Sequence, residues 1–182
     1  VGSANQTVIG RTVTVTGAGF TGPTGSSLVT GVTIGGTRAV TITNVTATSL
    51  QFVVPARTPV GAQAVAVTTG GGTGTLAANA ANSAAPTVVQ APTVTSFTPL
   101  SGGAPGSAAG GAAGTSVTVT GTDLQYASEL RLAGRAVAYT RVGTGAAQQL
   151  RFVVPAGSTT GAVSAVTLAG SGNSAQAFRV LP

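Results

Sequence analysis

Apolar and polar residues alternate along this chain in steps of two. From Thr12 to Thr16 valines interleave with threonines, which places Val13 and Val15 on one side of an extended strand. The same spacing recurs in Val117 and Val119, Val32 and Ile34, Val40 and Ile42, Leu50, Phe52 and Val54, and Val65 and Val67. Val and Thr favour this conformation, because branching at Cβ restricts χ1 and suits a pleated face. Glycine or proline interrupts the runs at Gly17, Gly31, Gly35-Gly36, Pro55, Gly61 and Gly70-Gly71-Gly72. Short strands parted by such turns predict a β-sandwich or barrel. Apolar spacing of the helical kind, with caps, is missing, so almost no helix is expected.

The pattern repeats. Leu50-Gln51-Phe52-Val53-Val54-Pro55-Ala56 returns as Leu150-Arg151-Phe152-Val153-Val154-Pro155-Ala156, and Gly61 returns as Gly161. Upstream, Thr12-Val13-Thr14-Val15-Thr16-Gly17 matches Ser116-Val117-Thr118-Val119-Thr120-Gly121. Ile34-Gly35-Gly36 with Arg38-Ala39-Val40 matches Leu132-Ala133-Gly134 with Arg135-Ala136-Val137. Landmarks in one order at nearly constant spacing imply two copies of a module, residues 1–90 and 91–182, meeting near Gln90-Ala91-Pro92. The short link predicts modules set end to end with limited freedom. Residues 73 to 87, rich in Ala and Asn, have weak strand character. Thr87-Val88-Val89 is expected to close the first module, as Phe178-Arg179-Val180 closes the second.

The second half runs Pro92-Thr93-Val94-Thr95-Ser96-Phe97-Thr98-Pro99, Ser101-Gly102, and Val117-Thr118-Val119-Thr120-Gly121-Thr122-Asp123-Leu124. The Gly134 turn, Phe152-Val153-Val154-Pro155-Ala156, Thr160-Gly161 and Phe178-Arg179-Val180 follow. This series resembles the IPT/TIG domain, an immunoglobulin-like fold shared by plexins, some transcription factors and many bacterial surface proteins. The resemblance covers residues 92 to 182, and residues 11 to 90 less completely. It implies an all-β chain of two tandem immunoglobulin-like β-sandwich domains.

Two departures stand out. The Gly- and Ala-rich stretch Gly102 to Gly114 is longer than the family's pattern and is expected to be an exposed, flexible loop. The first module has no counterpart of Pro92 to Pro99, so it is expected to lack its opening strand, whereas the second is complete. A sandwich short of a strand exposes an apolar groove and an unpaired edge. Another subunit supplying that strand, as in donor-strand assembly, is one reading. An upstream continuation of the chain, or Val1 to Ile9 folding back into the gap, is the other.

Composition narrows the chemistry. The chain has no Cys, Met, Trp or His, and its only acids are Asp123 and Glu129. Its positive side chains are all arginine: Arg11, Arg38, Arg57, Arg131, Arg135, Arg141, Arg151 and Arg179. The net charge of +6 comes from a shortage of acids, and the arginines are scattered without a stripe, so nucleic acid is not an expected partner. No apolar run is long enough to span a membrane. The chain lacks an initiating Met and a signal peptide, so a mature or internal segment is expected.

Without a Ser-His pair or a lysine, nucleophilic catalysis has no starting point. Asp123 is expected to be a turn residue, and Glu129 a surface partner of Arg131 or Arg135. The glycine-rich stretches lack the Lys-Ser/Thr ending of a phosphate loop. No catalytic, cofactor or metal residue is expected, and the chain is read as a non-enzyme. Asn5-Gln6-Thr7 and Asn44-Val45-Thr46 are glycosylation sequons, close to chance in so Thr-rich a chain. A glycan ligand would want aromatic platforms, and only Tyr126 and Tyr139 are candidates, Tyr139 half-buried in a strand.

The first expectation is a non-catalytic structural protein at the cell surface or outside the cell. It would be a subunit of a surface filament or adhesin stalk, built by strand and sandwich-face contacts. Its partners would be further copies of itself or neighbouring surface subunits. The interface is placed at Val13, Val15, Leu50, Phe52 and Val54. The alternative is an accessory ligand- or carbohydrate-binding module of a larger secreted enzyme or receptor.

Overall fold

The period of two is realised as strands almost throughout. The computed structural model describes residues 5–76, 85–110 and 114–182. Ser3–Val89 and Gln90–Pro182 each form a compact unit, and the chain is all-β with two immunoglobulin-like sandwiches. Among the described residues the only helical turns are two three-residue 3-10 segments, Leu124–Tyr126 and Gly145–Ala147.

The first unit contains β1 (Gln6–Thr7), β2 (Thr12–Thr16), β3 (Val29–Ile34), β4 (Thr37–Arg38) and β5 (Ile42–Thr43). It continues with β6 (Ser49–Val53), β7 (Gly61–Ala62), β8 (Val65–Thr69), β9 (Gly72–Leu76) and β10 (Thr87–Val88). One sheet has the order β2-β6-β5, the facing sheet β4-β3-β8-β9, and a small third sheet β1-β10-β7. Between them lies a core that includes Phe20, Val32, Ile34, Leu50, Phe52 and Val54.

The second unit contains β11 (Thr93–Thr98), β12 (Ser101–Gly102), β13 (Ser116–Thr122), β14 (Glu129–Leu132) and β15 (Arg135–Val137). Then come β16 (Tyr139–Val142), β17 (Gln149–Val153), β18 (Gly161–Thr167) and the long β19 (Gly170–Val180). The sheets have the orders β11-β13-β17-β16 and β12-β19-β18-β14-β15. Phe178 anchors the core: Phe97 and Phe152 meet its ring edge-on, with centroids 5.9 and 6.3 Å away. Such T-shaped pairs set a positive ring edge against a negative face.

Three local expectations change. Val40 does not share a buried face with Ile42. It sits in the bend between β4 and β5 and is 94% exposed, because the period of two holds only within a strand. Gly72–Leu76, in the stretch read as weak in strand character, pairs along its length with β8. The Gly70-Gly71 turn folds it back, so hairpin closure overrides its poor propensity. The part of the Gly102–Gly114 stretch that is described is tied down. Gly102 and Gly103 are buried, Thr115 N–H donates to Gly103 O at 2.9 Å, and Ala109 N–H donates to Pro182 O at 3.2 Å. A Cβ at Gly103 would overlap the Ser107 hydroxyl, so glycine here permits a close approach. Residues 111–113 of that stretch lie outside the described ones.

Candidate interaction surface

The two units build one sheet in the same way and then diverge. In the second, β13 is bonded on one side to β17 and on the other to β11, antiparallel, with Phe97 opposite Val119. In the first, β2 is bonded to β6, with Val13 opposite Phe52 and Val15 opposite Leu50. Among the described residues no strand lies on its other side.

Hydrogen bonding shows which backbone groups this leaves facing out. Val54 N–H donates to Arg11 O and Gly17 N–H to Thr48 O, each at 2.9 Å. Antiparallel pairs alternate, so Val13, Val15 and Gly17 turn their amides toward β6, while just before the strand Gly10 N–H donates to Val54 O at 2.9 Å and Arg11 N–H to Val8 O at 3.1 Å. Thr12, Thr14 and Thr16 turn theirs to the open edge.

Beside that edge runs a groove between the two sheets. Its larger part, about 680 Å³, is lined by Val15, Phe20, Leu28, Val65, Val67 and Leu76, among others. A second depression of about 370 Å³ shares Val15, Thr16, Val65 and Leu76 with it, and continues along β2 to Asn5, Gln6 and Thr7. No residue lining either depression is ionisable.

Of the predicted interface residues, Val13 and Val15 line this groove and are half-buried. Leu50, Phe52 and Val54 do not line it. They are buried in the core beneath, at 0, 0 and 1% exposure. Phe20 and Leu28 complete the groove although no alternation marked them. A small hairpin closed by Leu28 N–H to Phe20 O at 2.9 Å brings them together, and Thr21 and Ser27 bridge within it.

The two acids are engaged elsewhere. Arg131 donates to both Glu129 oxygens through Nε and Nη2, each at 3.0 Å. These bonds hold the Glu129 carboxyl below its ordinary value and raise that of Arg131. Asp123 accepts a 2.7 Å bond from Gln90 Nε2. It turns the chain at φ 58°, after β13 as expected. Tyr139 donates its hydroxyl to Ala127 O at 2.8 Å; Arg141 reaches the same carbonyl and stacks on the Tyr139 ring. All five phenylalanines, Phe20, Phe52, Phe97, Phe152 and Phe178, are buried. Among the described residues no group of three His, Cys, Asp or Glu side chains is placed to hold a metal. No helix among them is long and apolar enough to cross a membrane.

No curated protein matches the sequence. Among solved structures, the chain is similar to a surface glycan-binding protein of the Bacteroides ovatus mixed-linkage glucan utilization locus. The identity is 17%, covering 98% of this chain and 40% of that one, with a TM-score of 0.36. It is also similar to a surface glycan-binding protein from Prevotella bryantii (17% identity, 96% of this chain, 38% of that one, TM-score 0.41). A third is murine CEACAM1b (13% identity, 98% and 96% covered, TM-score 0.39). The chain therefore spans about two fifths of the first two proteins. At these identities the likeness is one of general fold, which does not transmit function. The family model for the IPT/TIG domain matches residues 3–83, within the first unit.

Proposed function

We propose that this chain is a non-catalytic accessory segment of a larger cell-surface protein, and that it contacts an uncharged partner through the open side of its first sandwich. One observation carries the reading: the groove along β2 is lined by aliphatic, hydroxyl, amide and glycine groups and the Phe20 ring, with no ionisable side chain. Such a lining offers apolar area and hydrogen bonds, but nothing to move a proton or hold a charge. The acids lie outside the groove, tied to an arginine and an amide. The surface glycan-binding protein of the Bacteroides ovatus locus, solved in complex with a mixed-linkage heptasaccharide, suggests the first neutral ligand to try. Phe52, Phe97, Phe152 and Phe178 lie away from the groove and offer no stacking platform there; Phe20 is the one ring in its lining.

The second reading, a subunit of a filament or stalk, is favoured by the unpaired edge of β2. The test is a binding survey with the 182-residue chain. Neutral polysaccharides and uncharged extended peptides are set against heparin and DNA. Saturable binding of a neutral ligand is expected, unaffected by salt and lost in Thr75→Arg, which places a guanidinium on the groove wall. Binding of polyanions alone, falling steeply with salt, would overturn the proposal.

A further inference from the structure

We infer that the open edge of β2 pairs with β2 of a second copy of this chain, giving a closed two-fold dimer through a continuous sheet. This rests on the reading above, and it names the partner.

The case begins with the sequence of the edge. Thr12-Val13-Thr14-Val15-Thr16 reads the same in both directions. An antiparallel pair centred on Thr14 therefore sets Thr14 against Thr14, Thr12 against Thr16, and Val13 against Val15 of the other copy. A two-fold interface demands this kind of self-complementarity. The backbone is in phase as well. Thr12, Thr14 and Thr16 are the residues whose amides face out, so each opposed threonine pair exchanges both of its N–H and C=O bonds.

Side chains then fall where they are wanted. In the second unit, Phe97 of β11 lies opposite Val119 and helps shield it completely. In the dimer, Val13 of the second copy lies opposite Val15, the repeat equivalent of Val119, and brings an apolar group to the groove's edge. Thr opposite Thr adds cross-strand hydroxyl pairs on the other face.

Charge does not oppose the pairing. The one flanking charge, Arg11, faces Gly17 of the other copy in this register. Three other sheet edges carry arginines, Arg38 on β4, Arg135 on β15 and Arg141 on β16, whereas the edges β5, β9 and β11 are uncharged like β2. Edge strands are commonly blocked by such charges, by proline or by bulges; Thr12–Thr16 has none of the three, and Arg11 with the positive-φ Gly10, both set against Val54, stands just before it.

The experiment is sedimentation velocity on the 182-residue chain over a wide concentration range. A monomer–dimer equilibrium is expected. It should weaken at least tenfold in Thr14→Pro, which removes an outward N–H, and in Thr14→Lys, which charges the edge, with far-UV spectra unchanged. A dimer indifferent to both substitutions, or open-ended polymers, overturns the inference. So does a monomer at every concentration. In that case a peptide of the sequence Pro92 to Pro99 separates the two proposals. If it binds the monomer, the contact reading stands and only the identity of the partner fails. If neither it nor any neutral ligand binds, both fail.

Discussion

Val117 and Val119 are shielded completely, at 0% exposure, whereas Val13 and Val15, at the same places in the other sandwich, are only half-buried. The strands that carry them have nearly the same sequence and the same partner on one side. The difference is β11. In the second unit it bonds to β13, delivers Phe97 to the Phe178 ring, and closes the gap toward β19. In the first unit the corresponding gap is the neutral groove. One strand thus decides whether the same valines are core or groove wall.

The comparison is broken most strongly by removing the ring that β11 supplies. Phe97→Ala should destabilise the second unit by about 3–5 kcal/mol, through lost burial and a cavity among the rings. Both tyrosines lie in that unit, so tyrosine fluorescence during urea unfolding reports on it alone. An unmoved midpoint would mean that β11 is not an integral part of the sandwich.

A smaller effect tests the paired glycines. A Cβ at Gly121 would overlap the carbonyl oxygen of Thr93, a backbone atom of β11. Gly121→Ala should therefore cost about 1–3 kcal/mol as β11 is displaced. A Cβ at Gly17 would instead meet Phe20 Cζ at 2.7 Å, a ring beside open groove that can give way. Gly17→Ala should cost clearly less in the same denaturation series. Equal costs would show that the ring is as fixed as the strand.

The smallest effect is electrostatic. Arg131 holds the Glu129 carboxyl below its ordinary value, so that pair favours folding above the unfolded carboxyl's value and loses its effect as pH falls through the folded one. The pair is exposed, so salt should erase most of the change. With no histidine, the unfolding midpoint should stay flat between about pH 5 and 8. Any decline below that range should belong to the second unit, because Asp123 and Glu129, the chain's two acidic side chains, both lie there. An equal acid response in the first unit would contradict this.

Much of the fold was legible because alternation is a local signal. Val32 with Ile34, Leu50 with Phe52, and Val65 with Val67 are buried in pairs, as period two requires. Where one element ends is decided by neighbours, and there the pattern misled. Val40 continues the alternation in letters but not in conformation. Gly72–Leu76 carries almost no strand signal and is a strand because β8 templates it. The groove was legible only in part. The missing counterpart of Pro92 to Pro99 pointed to β2. Phe20 and Leu28 were invisible, because a hairpin closed by backbone bonds brings them there.

By itself the sequence determined the β class, the repeat, and the exclusion of thiol, imidazole and lysine chemistry, since these follow from which groups exist and how apolar ones are spaced. Only tertiary structure decided that Leu50, Phe52 and Val54 serve the core while Val13 and Val15 border a groove. Alternation tells that residues share a face. Whether that face is covered depends on a strand brought from elsewhere in the chain, and the second unit has one in β11 where the described first unit has a groove.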